Sequence, residues 1–330
     1  MISLLTCFMI SLGIESTAHT FGIGIVSDKR EVLANVRDAY SNPQGGMIPN
    51  ELANHHVLVF RQVFKKALAK ASISPKDIDV ISFSQGPGIG HALRIGAVFA
   101  RSLTLLLNKP LIGVNHCIAH LEIGKMLTEA KDPVLLYVSG ANTQIIAFES
   151  DRYRIFGETL DMGLGNFLDT FARETGIGFP GGPVIEKLAR KGSHYIELPY
   201  VVKGMDISLG GILTNLKSKL NKYPLEDLCY SLQETVFAMI LEATERAMAH
   251  TGKNELLLGG GVACNQRLQE MAKIMTKERG AKCFILPNEF NVDNGAMIAW
   301  LGLVNYKKGE RLAIEDSAIK PYWRTDEVYV

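Results

Sequence analysis

Leu12-Gly13-Ile14-Glu15-Ser16-Thr17 and Ser139-Gly140-Ala141-Asn142-Thr143 are the two stretches that decide the fold. The first joins apolar runs at residues 11–15 and 22–26, and the second joins runs at 134–138 and 144–148. Each reads as a strand, a turn of small polar residues ending in Thr, and a second strand. The same unit in both halves of the chain indicates a weak internal duplication, with a boundary near residues 125–133.

Working outward, strand and helix signals alternate throughout, which predicts an α/β protein. Residues 51–70 carry Val57, Val59, Phe60, Val63, Phe64 and Leu68 at the spacing of an amphipathic helix. A buried strand over 78–83, the turn Gly86-Pro-Gly-Ile-Gly90 and a helix from about 93 to 107 follow. A strand over 110–114 then leads to Asn115, a helix N-cap by residue type. The second half predicts helices over 165–174, 184–191, 225–251, 266–277 and 294–303, with strands over 255–258 and 283–286. A chain of 330 residues exceeds what one core usually supports, so two lobes are expected. The reading is an N-terminal extension over 1–8, lobe I over 9–130 with part of the 306–330 tail packed back on it, and lobe II over 131–305 with the nucleotide-binding elements.

Composition narrows the function classes. Hydrophobic residues make up 47% and charged residues 21% of the chain, as in ordinary globular proteins. The net charge of +1 gives no global attraction to nucleic acid, so RNA contact has to come from local patches or partner proteins, and no DNA partner is expected. Basic stretches at 61–70, 217–222 and 273–282 read first as solvated helix faces. Five cysteines without a CxxC pair suit free thiols in a reducing cytosol. The apolar start, residues 1–10, is too short to span a bilayer and has no basic flank, so neither a signal peptide nor a membrane partner is expected; Met9 is an alternative start.

Three Gly/Ser/Thr turns, at 13–17, 139–143 and 259–265, can present backbone N–H groups to phosphate. The strict P-loop pattern and a well-placed GxGxxG are absent. His116-Cys-Ile-Ala-His120 sets two imidazoles on one face of a helix, the spacing a divalent metal requires. Taken alone, such a pair is either a metal site or an incidental repeat. Asp293, before a helix, is the candidate third ligand or else a plain N-cap. A metalloprotease is excluded, because the general-base Glu that should follow the first His is Cys117 here. Asp169 and Glu186 are candidates for ribose or amino-group contacts, or ordinary solvated helix residues.

In order, these pieces resemble the Kae/TsaD family. The motifs are Gly13-Ile-Glu-Ser-Thr-Ala-His19, Gly86-Pro-Gly-Ile-Gly90, Leu93-Arg-Ile-Gly96, Asn115-His-Cys-Ile-Ala-His120 and Leu136-Tyr-Val-Ser-Gly140, followed by Asp169 with Pro180-Gly-Gly-Pro183, Gly260-Gly-Val-Ala-Cys-Asn265 and Asp293-Asn-Gly-Ala-Met-Ile-Ala299. They run over nearly the whole chain, and the tail Trp323-Arg-Thr-Asp-Glu-Val328 is similar to the archaeal/eukaryotic branch. The resemblance implies a two-lobed actin-like/sugar-kinase (ASKHA) fold with duplicated ribonuclease-H-like halves. It implies a catalytic subunit of the KEOPS complex, which transfers threonylcarbamoyl from threonylcarbamoyl-AMP to N6 of the adenosine 3′ to the anticodon in tRNAs reading ANN codons.

Residue by residue, the resemblance implies a metal on His116, His120 and Asp293, with the Tyr137 phenol a candidate further ligand, and catalysis at that centre. It implies adenylate contacts at Tyr137, Val138, Ser139, Gly140, Ala141, Asp169, Gly182, Glu186 and Asn265. The cofactors implied are one divalent ion per subunit, Fe2+ or Zn2+, and an adenine nucleotide, threonylcarbamoyl-AMP or ATP. The partners implied are tRNA, a separate small protein kinase subunit and the other small KEOPS subunits, in the cytoplasm. Ala141 departs from the family's glycine, which predicts strain or a shifted loop if the position needs positive φ. Two rivals share the fold: an ATP-binding carbamoyltransferase or small-molecule kinase, which needs no His pair, and a non-enzymatic ATP-switched scaffold.

Overall fold

A computed structural model describes residues 8–41 and 48–328. Residues 1–7 of the expected extension, Cys7 among them, and the last two residues of the tail lie outside the described residues. The chain divides into two units, the first holding residues 8–40, 48–127 and 293–324 and the second residues 41, 128–292 and 325–328.

In the first unit, strands β1 (Ile10–Glu15), β2 (Thr20–Ser27), β3 (Val32–Ala39), β4 (Val80–Gly86) and β5 (Leu111–Asn115) form one sheet in the order β3-β2-β1-β4-β5. β1 runs antiparallel to β2 and parallel to β4, and β4 runs parallel to β5. Strand alternation assigns the two faces. Ile10, Leu12 and Ile14 of β1, with Phe21, Ile23 and Ile25 of β2, join a core with residues of α1 (Pro49–Ala71) and α2 (Gly90–Leu107). α3 (His116–Leu127) begins directly where β5 ends.

The second unit repeats the plan. Its sheet contains β6 (Val134–Val138), β7 (Thr143–Glu149) and β8 (Arg152–Glu158), and helices α4 (Leu164–Glu174) and α5 (Gly182–Ala189) follow. A two-residue pair, β9 (Val202–Lys203) and β10 (Asp206–Ile207), precedes α6 (Gly210–Lys219) and the long α7 (Leu225–Thr251). The chain continues through β11 (Glu255–Gly259), α8 (Gln266–Glu278), β12 (Lys282–Ile285) and α9 (Asn288–Asn291). The sheet order is β12-β11-β6-β7-β8. In both units the opening strand is central, two antiparallel strands lie on one side, and two parallel strands lie on the other.

α10 (Gly295–Lys307) belongs to the first unit, so the expected second lobe over 131–305 ends instead at Val292. The reason lies in the face of β1 and β2 away from the core, where Gly13 and Gly24 stand. A Cβ on Gly24 would lie 2.0 Å from the Ala296 nitrogen, and one on Gly13 would lie 2.1 Å from the Ala299 nitrogen. Only a side-chain-free strip lets a helix backbone approach a sheet so closely. Among the described residues no helix is long and apolar enough to cross a membrane.

Candidate functional site

The first unit assembles its site where the parallel strands end, the usual place for ligands in open α/β sheets. Asn115, last residue of β5, caps α3: its side-chain oxygen accepts from the backbone N–H of Cys117 at 3.0 Å and of Ile118 at 3.3 Å. The cap makes His116 the first helical residue, and His120 lies one turn on. Their rings are 4.9 Å apart at 80°. Asp293 comes from the other end of the unit's sequence, immediately before α10. The N-cap of α10 is Asn294, which accepts from the Met297 N–H at 3.1 Å. The capping role that residue type allowed Asp293 therefore falls to its neighbour.

His116 Nε2 lies 3.4 Å and His120 Nε2 lies 3.5 Å from the same carboxylate oxygen, Asp293 Oδ1. The three donor atoms all fall within 4.8 Å of one another. Bonds of about 2.0–2.2 Å at a tetrahedral angle separate neighbouring ligand atoms by about 3.4 Å, so the set fits a small divalent ion. Two imidazoles and one carboxylate are borderline ligands, compatible with iron or zinc.

The electrostatics follow from burial and neighbours. Burial works against a charged His116, but the carboxylates of Glu15 and then Asp293 outweigh it and hold the imidazole well above its ordinary range. Burial pushes His120 down in spite of its hydrogen bond to Asp293. Burial would raise Asp293, yet the charge on His116 and the hydrogen bonds from both rings keep its carboxyl well below the ordinary carboxylate range.

Sequence reasoning gave Glu15 and Thr17 no role beyond a phosphate turn. The structure commits that turn internally: the Thr17 N–H (2.7 Å) and hydroxyl (2.5 Å) both donate to Glu15 Oε1. Their donors serve a buried carboxylate, which disfavours a phosphate there. The available signal was a lone acid closing an otherwise apolar strand.

The remaining candidates all lie in the second unit, Tyr137–Ala141 and Asn265 at or after strand ends, and Asp169, Gly182 and Glu186 on α4 and α5. β6 and β11 are parallel neighbours, with Tyr137 opposite Gly259, so their following loops emerge side by side. Gly260 has φ 92°, and a Cβ there would meet the Val138 carbonyl at 2.3 Å, so the approach requires glycine. Tyr137 and Val138 are buried in β6. The Ser139–Asn142 turn is closed by the Ser139 N–H donating to the Asn142 carbonyl at 2.8 Å and by the Asn142 N–H donating to the Ser139 hydroxyl at 3.2 Å. Ala141 is not among the described residues of positive φ, so the strain expected of it does not arise.

Asp169 accepts from the Gly181 N–H at 2.8 Å, fixing the loop that opens α5 at Gly182. Glu186 Oε1 accepts from the Gln266 N–H at 3.1 Å and from Arg190 at 2.7 Å. Asn265 caps α8 through its oxygen and donates through Nδ2 to Gln233 Oε1 at 2.7 Å. Glu186 and the Asn265 loop are therefore brought together as scaffold, and Asp169 and Glu186, for which the sequence also allowed solvated helix positions, each accept a backbone N–H.

Comparison with known proteins gives these features a context. The family model for TsaD, tRNA N6-adenosine threonylcarbamoyltransferase, matches residues 31–300. A protein of that name from Thermococcus kodakarensis is 59% identical over 324 residues, covering 98% of this chain and 99% of the relative. A probable bifunctional tRNA threonylcarbamoyladenosine biosynthesis protein from Methanosarcina acetivorans is 54% identical over 97% of this chain and 59% of its own length. Among solved structures, full-length HypF in a phosphate- and nucleotide-bound form is similar with TM-score 0.63 and 13% identity, covering 92% of this chain and 56% of that one. At that identity the likeness speaks for the actin-like/sugar-kinase fold alone.

Proposed function

Because the chain belongs to the TsaD family of tRNA N6-adenosine threonylcarbamoyltransferases, we propose that its first unit is a divalent-metal centre and its second an adenylate holder for that transfer. The enzyme is a transferase acting on tRNA. It moves threonylcarbamoyl from threonylcarbamoyl-AMP to N6 of the adenosine 3′ to the anticodon. The observation that carries the metal reading is the convergence of both Nε2 atoms on Asp293 Oδ1 at 3.4 and 3.5 Å.

The reaction attacks the carbonyl of a mixed anhydride with a weakly nucleophilic exocyclic amine. The chemistry that a His116–His120–Asp293 set recruits is Lewis acidity at that carbonyl, or charge neutralisation of the departing phosphate. The chain's own residues hold and orient. Ser139, Gly140 and Ala141 present small side chains and backbone to the adenylate phosphate, directly after the buried Tyr137 and Val138. Gly182, Asp169, Glu186 and the Asn265 loop form the adenosine side, with Asp169, Glu186 and Asn265 pinned by the hydrogen bonds described. Fe2+ and Zn2+ both suit the ligands.

We place this chain in the cytoplasm as the catalytic subunit of the KEOPS complex, beside a small kinase and the other small subunits. The bifunctional names of relatives such as that from Methanosarcina acetivorans support a functional link to a second protein. Near-neutral charge supports partners that supply much of the grip on tRNA.

The test is to replace His116 and His120 with Ala and measure bound metal and modified nucleoside in a reconstituted reaction containing tRNA, threonine, bicarbonate, ATP, a threonylcarbamoyl-AMP synthase and the partner subunits. Both metal content and modification are expected to fall to background. Unchanged metal content together with unchanged modification would reject the centre.

A further inference from the structure

Glu15 ends β1 with its side chain fully buried and no metal-ligand position of its own in the three-residue group. Its two oxygens divide their work. Oε1 accepts from the Thr17 N–H at 2.7 Å and from the Thr17 hydroxyl at 2.5 Å. Oε2 faces His116 Nδ1 at 3.0 Å. We infer that Glu15 is a positioning residue, which fixes the proton of His116 on Nδ1 and so keeps Nε2 turned toward Asp293 as the ligand nitrogen. This deepens the metal reading above and rests on it.

The argument is one of donors and acceptors. An ionised carboxylate only accepts, so the ring nitrogen facing it has to carry hydrogen. Without metal the other nitrogen donates to Asp293, and once a cation displaces that proton the same nitrogen supplies the lone pair. That other nitrogen is the one 3.4 Å from Asp293 Oδ1. A hydrogen bond behind a ligating histidine commonly sets both tautomer and ring orientation. His116 is the first residue of α3, at the turn that the Asn115 cap opens, so a brace behind its ring acts where the helix begins.

Thr17 completes the arrangement. Its hydroxyl lies 3.3 Å from His116 Nδ1 while donating to Glu15, so the Thr17 oxygen can accept from the same ring N–H. Three donors, the Thr17 N–H, the Thr17 O–H and the His116 Nδ1–H, thus aim at a group with acceptors on both oxygens. Glutamine has the same shape but one oxygen and one NH2. With its oxygen toward Thr17, the NH2 would meet Nδ1 and favour the tautomer with hydrogen on Nε2. Flipped, it would set NH2 against the buried Thr17 N–H and leave that donor unmet.

The experiment uses the purified full chain, stripped of metal, and titrates Zn2+ against a chelator and Co2+ by its ligand-field absorption. Glu15→Gln is expected to weaken metal affinity by about 10–100-fold and to alter the Co2+ spectrum, with Glu15→Asp recovering part of the loss. The metal-free melting temperature is read in parallel. A merely structural residue would lower it and leave affinity and spectrum as in wild type, and that result overturns the inference. His116→Ala separates the two levels. If His116→Ala loses the metal while Glu15→Gln keeps wild-type affinity, the positioning role fails and the metal reading stands. If His116→Ala also keeps wild-type affinity, the metal reading itself fails. Should Glu15→Gln not fold, Thr17→Val takes its place: weaker binding supports the inference, and wild-type binding overturns it.

Discussion

His56 shows how strongly single residues near the β1–β2 turn are constrained. It is fully buried on α1, its ring edge-on to Phe21 at 5.5 Å, with His55 Nδ1 3.3 Å from its own Nδ1. Burial first, and the neighbouring His55 second, lower its pKa from 6.5 to about 4. The sign follows directly: the unfolded chain takes up this proton before the folded one does. The stabilisation by the neutral ring is complete above pH 6.5 and is lost as pH falls from there toward about 4. At about 1.4 kcal/mol per pH unit the loss approaches 3 kcal/mol. Urea unfolding midpoints across that window should fall steeply in wild type and less so in His56→Leu; equal slopes would show that another group titrates. At this scale the sequence was readable where partners are close along the chain. His116 and His120 declare a shared helix face by spacing alone, whereas Glu15 meets His116 across 101 positions, and no local pattern announces that contact.

Elements were legible in proportion to their burial. β1, β4, β6 and β11 are apolar runs and were anticipated. β3, β8 and α6 were not. In β3 only Ala34 is buried, and Asn35, Arg37 and Asp38 mask an edge strand as loop. α6 opens with Gly210-Gly211 and is capped from a distance, the Asp161 carboxylate accepting from the Gly210 N–H at 2.7 Å. The placement of α10 was also hidden, because glycines in a strand say nothing about which helix will rest on them. Two substitutions test that contact. Gly24→Ala has to displace the α10 backbone, and it is expected to cost about 1–3 kcal/mol or more in urea unfolding and to reduce bound metal through Asp293. Gly211→Ala meets nothing within 4 Å and should be neutral or slightly stabilising. Equal effects would mean that α10 does not rest on this strip.

Across the whole molecule, the two units share a strand order yet differ in what they place at the strand ends. The first presents imidazoles and carboxylates, the second glycine, serine and asparagine loops. The doubled strand–turn–strand unit was the part of this plan visible in the sequence. The expectation of a segment packed back on the first lobe covered only the 306–330 tail; the return of residues 293–305 was not legible, since it depends on contacts between opposite ends of the chain. The division of labour gives a separable prediction. His116→Ala should abolish metal loading and leave binding of an adenine nucleotide as in wild type. Gly260→Ala, forced against the Val138 carbonyl, should weaken the nucleotide and leave the metal, with both read by calorimetry and metal analysis. Loss of both ligands in either variant would contradict it. The bare seam between Gly24 and Ala296 carries one more implication. With no side chains in between, no rotamer can adjust to take up an error in the sheet. Drift of β1 or β2 is passed rigidly to the residue that starts α10, so directed evolution toward a different metal should succeed by exchanging ligand types and fail by loosening the strands beneath them.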